Sequence, residues 1–458
     1  MVPGSRLLWW VGLVVVPCSA VAGAVPDLMP VALGLVGALA GLVLLDAALG
    51  YGSLGDVGLH LPEVVRLTKD REGTIEVAVR NPRRRARRIR LGLALPPEIR
   101  STEDSLCVLL PAGTEWCRFD WACTALKRGA YRIDRCYLEE PSPLGFWAMR
   151  GTAPTGVELR VYPNLLPERK YLAALFLNRG SLGTHAQRQV GKGREFEMLR
   201  AYIPGDGYDD IHWKATAKQG RPVTKVFQIE RTQEVYVIID ASRLSARSPA
   251  TSGETVADSP EASGMLPGFA PTILERFVTA ALVMCLAAER QGDHFGLLTF
   301  SDRIVNFVRA TGGQAHYRTC RDALYALQPQ IATPAFDEVC SFVRLRVRHR
   351  ALLVFLTSLD DPVLAESFVR AVSLLSRHHL VLVNMLAPPG ARPLFSEQGA
   401  KTIEDVYRHL SGHIQWHALQ ELERVLHRRG VGFSLLDNEK LCLQLVSQYI
   451  GIKQRQLL

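Results

Sequence analysis

Apolar positions along this chain follow three rhythms, and the places where the rhythm changes divide it. The first rhythm is unbroken. Leu7–Val25 and Leu28–Leu49 are apolar almost throughout, hold no Lys or Arg, and contain a single acid, Asp46, close to an end. Each has about 20 residues, which at ~1.5 Å per residue crosses a ~30 Å hydrocarbon layer. Pro26, Asp27 and Pro30 mark the turn between them. Residues 1–50 are therefore expected to form a transmembrane helical hairpin. A cleavable signal peptide is the competing reading, because Ala22-Gly23-Ala24 has the form of a small-residue cleavage site. The second stretch would then still anchor the product.

The second rhythm has period two and fills residues 51–163. Thr74–Arg80 reads as a strand, Asn81-Pro82 as a turn and Ile89–Leu95 as the return strand. Leu106–Leu110, Glu115–Ala122, Gly129–Glu139 and Glu158–Tyr162 read as further strands. Many short strands at this spacing predict a β-sandwich-like domain. Residues 164–233 are polar and read as a connector, with Pro204-Gly205-Asp206-Gly207 as a strong turn. From 234 to 458 the grammar becomes strand–helix alternation. Val235–Asp240, Ala351–Thr357 and Leu380–Leu386 are apolar enough for buried parallel strands, and helical periodicity follows each. That order predicts a C-terminal α/β domain of Rossmann type with helices on both faces and its functional edge at the strand carboxyl ends. Ala246–Gly268, rich in Ser, Pro, Ala and Gly, is expected as a mobile loop beside that edge.

Charge and cysteine content refine this picture. The 458 residues are 48% hydrophobic with a net charge of +9. Arg6 precedes the first span, the tight loop at Pro26-Asp27 is free of Lys and Arg, and Arg66, Lys69, Arg71 and the run Arg83–Arg90 follow the second. The positive-inside rule then puts both chain ends in the cytoplasm of a bacterial inner-membrane protein. The arginine run reads as a solvated turn near anionic headgroups. Nucleic-acid binding is not expected, since no aromatic residues interleave with it. Nine cysteines without CxxC spacing read as reduced, buried thiols.

Signatures of catalysis are absent. Gly191-Lys192 lacks the earlier glycine and the hydroxyl of a phosphate-binding loop, and neither HExxH nor GxSxG occurs. His409, His413 and His417 fall on one face of a helix without an acidic companion, which suits groove or surface histidines better than a metal stripe.

Two stretches carry resemblances. Val237–Ser245 resembles the start of a von Willebrand factor A domain. The resemblance implies a metal-ion-dependent adhesion site built from D-x-S-x-S, a loop threonine and a later aspartate. A hard cation such as Mg²⁺ wants about six oxygens there, carboxylates among them. Asp240 and Ser242 match, and Thr333 is the candidate loop threonine. Leu244 stands where the second serine belongs and Ser358 where the aspartate belongs, with Asp360 and Asp361 slightly later. The site is thus expected to be degenerate, with no cofactor held tightly and Mg²⁺ as the only candidate.

The second resemblance is more specific. Gly193–Asp206, then Ile211-His212-Trp213-Lys214-Ala215-Thr216-Ala217, then Glu230, is similar to the signature of the domain-of-unknown-function family numbered fifty-eight. Lys127–Tyr131, Pro141–Phe146, Val161–Pro163 and Tyr449–Lys453 extend the similarity over nearly the whole chain, whereas Asp209 stands where many members carry arginine. The resemblance implies a membrane-anchored protein with a von Willebrand-type domain, associated with MoxR-type AAA+ ATPases. Arg194, Glu195, Arg200, Asp206, His212, Trp213, Lys214 and Glu230 mix both charge signs with one large aromatic. They are expected to form an ion-paired, Trp-packed joint between the soluble domains, with a partner-docking surface as the alternative. The expected function is a non-catalytic binding or scaffold protein acting with such an ATPase in protein assembly or maturation. A hydrolase acting on cell-envelope material is the alternative, and it would need a nucleophile–base pair that the sequence does not offer.

Overall fold

Both apolar stretches form helices, Ser5–Ala24 and Met29–Gly50, joined by a short turn at Pro26–Leu28. The first widens into a π-helical turn over Val11–Val15. The computed structural model describes residues 1–168, 190–204, 207–228, 233–249, 271–388, 390–394, 396 and 402–455. It divides into two units, Met1–Asn164 and Leu165–Leu458.

In the first unit two sheets face each other. One runs in the order Val2–Pro3, Trp147–Tyr162, Gly129–Pro141, Arg87–Leu93, Leu106–Leu110, with Val64–Thr68 parallel to part of Trp147–Tyr162. The other runs Gly58–His60, Glu72–Arg80, Trp116–Ala125, Ile99–Ser101. Inward positions of both fill a common core that includes Ile75, Val77, Trp121, Leu91, Ile133 and Leu159.

One expectation fails here. Glu72–Arg80 and Arg87–Leu93 are not a hairpin: the first pairs with Trp116–Ala125, the second with Leu106–Leu110 and Gly129–Pro141 in the opposite sheet. The chain changes sheets at buried Asn81, whose amide donates to the Arg85 carbonyl at 2.8 Å while its backbone N–H donates to Glu115 O at 2.7 Å. Alternation reports which face of a strand is buried; it carries no information on the neighbour it pairs with. The arginine run is largely paired within the domain. Arg83 meets Asp56, Arg84 meets Glu115, Arg87 meets Glu140 and Arg90 meets Glu139.

Asp46, the lone acid of the spans, is fully buried. Its carboxylate accepts from the Ser142 hydroxyl at 2.5 Å, Leu144 N–H at 2.9 Å and Phe146 N–H at 3.1 Å. The Trp147 indole N–H donates to Val43 O at 3.0 Å. The other helix is held at the same place: Val2–Pro3 pairs with Trp147–Ala148, and Gly4 N–H donates to Phe146 O at 2.7 Å. The Pro141–Phe146 stretch is thus a socket that grips the end of one span and the beginning of the other.

In the second unit, β1 (Glu234–Asp240), β2 (His294–Phe300), β3 (Ile304–Thr311), β4 (Ala351–Leu356), β5 (Leu380–Leu386) and β6 (Val431–Leu436) form one sheet ordered β3-β2-β1-β4-β5-β6. All neighbours are parallel except the edge strand β3. Burial on both faces explains the continuous apolar runs of β1 and β4. Helices α1 (Ile273–Gln291) and α2 (Gln314–Leu324) bury one side of the sheet. Helices α3 (Phe336–Arg346), α4 (Pro362–Val372) and α5 (Ile403–Arg428) cover the other, and α6 (Leu441–Gln454) returns to the first. At the amino pole, buried Asp293 accepts from Lys453 Nζ at 2.7 Å, Gln233 N–H at 3.1 Å and the Tyr449 hydroxyl, which fastens α6 to the sheet. Most of the Ala246–Gly268 loop lies outside the described residues.

Residues 190–228, read as part of a polar connector, contain a hairpin. Val190–Ala201 pairs antiparallel with Val223–Gln228, and between them lies the short helix Trp213–Gln219.

Candidate functional site

In a doubly wound sheet the carboxyl ends of the strands gather chemistry. Here β1 delivers Asp240 to that edge, where it is fully buried. Ser242 N–H donates to its Oδ1 at 2.8 Å, and the Thr357 hydroxyl, one residue past β4, donates to Oδ2 at 2.6 Å. Burial pushes the Asp240 carboxyl above the usual carboxylate range, against the opposing pull of the hydrogen bonds from Thr357 and Ser242.

The remaining adhesion-site positions are occupied in other ways. Leu244 packs into the hydrophobic cluster on the α3–α5 side, an apolar use of the position that leaves no oxygen for a ligand. Ser245 donates its hydroxyl to Ser242 O at 2.8 Å. The loop carrying Thr333 does run beside β1: Arg243 N–H donates to Ala332 O at 3.1 Å and Gln330 N–H to Ala241 O at 2.7 Å. Thr333 itself is exposed. Asp360 is ion-paired with Arg247, and Asp361 caps α4 by accepting from Val363 N–H at 2.9 Å. The donor set thus offers Asp240 as its one central carboxylate, with both oxygens already bonded within the chain. Among the described residues, no group of three His, Cys, Asp or Glu could hold a metal ion. Thr357 and Arg247 were not singled out from sequence; Thr357 lay inside an apolar run and nothing marked its hydroxyl.

The histidine stripe sits on α5. The ring of His413 accepts from Leu394 N–H at 3.1 Å and stacks on Trp416 at 5.8 Å between centroids. Gly412 on this helix has a packing reason: a Cβ there would stand 1.9 Å from Gly390 O. The amino-terminal half of α5 exposes Ile403, Val406, Tyr407, Leu410 and Ile414, spaced along one helical face.

The family-like signature falls mainly on the hairpin. Arg194, Glu195 and Arg200 lie in its first strand, and Arg200 pairs with Thr224. Asp206 and Glu230 lie outside the described residues. His212 caps the short helix, its Nδ1 accepting from Ala215 N–H at 3.0 Å, and the Thr216 hydroxyl accepts from Val223 N–H at 3.1 Å. His212, Ala215 and Thr216 therefore form the side of the helix that faces the hairpin, which turns Trp213 and Lys214 outward. Within the second unit Trp213 is 69% exposed. Leu199, Ile203 and Tyr208 are exposed on the same module, and Tyr208 stacks on Tyr202 at 6.4 Å.

Residues 198–257 and 271–411 match the family described as "Protein of unknown function DUF58". No curated protein matches the chain. Among solved structures, the conserved hypothetical protein BatB from Bacteroides thetaiotaomicron is 15% identical; the match covers 49% of this chain and 99% of BatB, with a TM-score of 0.30. Proximal thread matrix protein 1 from the mussel byssus, solved with a zinc-occupied MIDAS motif, is 14% identical over 48% of this chain, with a TM-score of 0.25. The chain spans under half of that protein, 46% of its length.

Proposed function

Because residues 198–257 and 271–411 match the DUF58 family, we propose that the protein is a membrane-anchored, non-catalytic binding or scaffold protein. In this reading its von Willebrand factor A-like domain receives other proteins, and it works with a MoxR-type AAA+ ATPase in protein assembly or maturation. The observation that carries the reading is the state of the carboxyl edge. Nucleophilic catalysis needs a nucleophile within reach of both a base and a substrate. Here the hydroxyl–carboxylate pair at the end of the central strands, Thr357 and Asp240, is fully shut off from solvent. Exposed apolar side chains of the second unit gather at Leu199, Ile203, Tyr208 and Trp213 and along the first half of α5. Such surfaces suit protein contacts.

The full-length protein in detergent is expected to form a nucleotide-dependent complex with its ATPase, weakened by Trp213→Ala. Absence of a complex in both the ATP-analogue and ADP states would refute this partner. The edge is proposed to hold no divalent cation tightly, since one engaged carboxylate offsets little of a double charge. Calorimetric titration with Mg²⁺ and Mn²⁺ should show no micromolar binding, and such binding abolished by Asp240→Ala would reverse the proposal. Placement in the inner membrane with cytoplasmic soluble domains follows the positive-inside reading. The pairing of Val2–Pro3 with Trp147–Ala148 supports it, because the amino end and the sandwich then share one side. An active alkaline phosphatase fused after Leu458 would contradict this topology.

A further inference from the structure

Where the second span ends, a pocket of about 250 Å³ opens between the span and the sandwich, lined by Leu49, Ser53, Ala86, Arg87, Arg88 and Glu140 among others. Its chemistry is defined by Arg87, whose side chain is 7% exposed. The guanidinium is only partly used: Nε and Nη2 donate to the Glu140 carboxylate at 2.8 and 2.6 Å, and Nη2 also donates to Ser53 O at 2.5 Å. Nη1 is buried and has no hydrogen-bond partner, and the same holds for the Ser53 hydroxyl. Native proteins leave few buried donors so. Two of them on one pocket wall ask for an acceptor from outside the chain. Glu140 does not repel an anion strongly, because the bidentate pair with Arg87 neutralises it. Arg88 also lines the pocket, with its Nε donating to Cys107 Sγ at 3.2 Å, while Arg83 and Arg84 of the adjoining turn are ion-paired with Asp56 and Glu115.

We propose that this pocket binds a phosphate group, its oxygens meeting Nη1 of Arg87 and the hydroxyl of Ser53. The position favours the headgroup of an anionic phospholipid as the source. Leu49 belongs to the apolar helix Met29–Gly50, so a ligand seated beside it has its acyl chains level with the span. The volume is below the ~300–1,000 Å³ of pockets that enclose a drug-sized ligand, which fits a headgroup whose tails remain outside. The Asp46 socket fixes the span against the sandwich and so keeps the pocket walls in register. This inference rests on the membrane-anchored reading.

The test uses the full chain, purified in neutral detergent and examined by native mass spectrometry with added phosphatidylglycerol, a galactosyl diacylglycerol without phosphate, or inorganic phosphate. The parent is expected to retain one phosphatidylglycerol and no galactolipid. Arg87→Lys keeps a cation beside Glu140 but loses the fork, and should bind about tenfold more weakly, the worth of one charge-assisted hydrogen bond. Ala86→Trp fills the pocket from an exposed turn without removing a charge, and should abolish retention while the thermal melt stays that of the parent. Displacement of the lipid by millimolar inorganic phosphate, with the same sensitivity to both variants, would keep the phosphate site and assign it a soluble ligand. Equal retention of the galactolipid, or parent-like retention by both variants, would overturn the proposal. Failure of the chain to insert into phosphatidylcholine vesicles would instead count against the membrane reading. Insertion without any retained phosphatidylglycerol would count against the pocket alone.

Discussion

Replacing Asp46 by alanine should release the second span from its socket. The carboxylate accepts three hydrogen bonds at 2.5–3.1 Å and is fully buried. Hydrogen bonds to a charged group contribute about 1.5–3 kcal/mol each, so a simple sum is about 5–9 kcal/mol. The three share one acceptor and are not additive, and the Trp147–Val43 bond survives the change. The expected local loss is therefore about 3–5 kcal/mol. Hydrogen exchange measured in detergent reads this directly at the amides of Leu144 and Phe146. If they exchange through opening of the socket, a loss of that size speeds them by roughly a hundredfold to several thousandfold. Asp46→Asn, which keeps one acceptor and loses the charge, should fall between parent and alanine. Protection within about threefold of the parent at both amides would refute the socket as the element that holds the span.

Trp213→Ala should change stability by less than ~0.5 kcal/mol, because the indole is exposed; a melt lowered by several kcal/mol would mean that the ring packs after all. Asp240→Asn should stabilise the protein at neutral pH. The folded carboxyl titrates above its ordinary value because it is buried, so the folded state holds its proton more tightly and the aspartate weakens folding as pH rises from about 4. The advantage of asparagine should thus be largest at pH 7 and shrink toward pH 4, and a difference of the opposite slope would contradict this sign. Thiol labelling of the native protein at pH 7.5 should reach Cys107, which is exposed, well before Cys123 and Cys136, pushed up to about 11, or Cys340, pushed up to about 12, by burial. Early modification of Cys340 would count against the packing described for α3.

Much of the architecture was legible because it rests on local pattern. The spans needed only length and the absence of charge, and β1, β4 and β5 stand out as apolar runs followed by helical periodicity. Partner choice was not legible. Glu72–Arg80 and Arg87–Leu93 both alternate cleanly, yet a buried asparagine between them sends them to different sheets. The full strand Trp147–Tyr162 was read only from Glu158, because Gly151, Pro154 and Gly156 interrupt the pattern and a register shift lies between Pro154 and Val157. At the candidate site, Asp240 and Ser242 were found by spacing, whereas Thr357 could only be found once β1 and β4 lay side by side. Asp46 stood out as an acid in an apolar run, but its partners are 96 to 100 residues away.

The socket also decides how the protein carries mechanical load. A domain tied to a membrane by one flexible linker swings, and any force on it straightens the linker first. Here the start of one helix and the end of the other are bonded to the same short stretch, Trp147–Ala148 and Ser142–Phe146. A pull on the sandwich is therefore shared between two anchorage points and reaches both helices without slack. Tilting the domain tilts the hairpin, and squeezing the two helices together moves the domain.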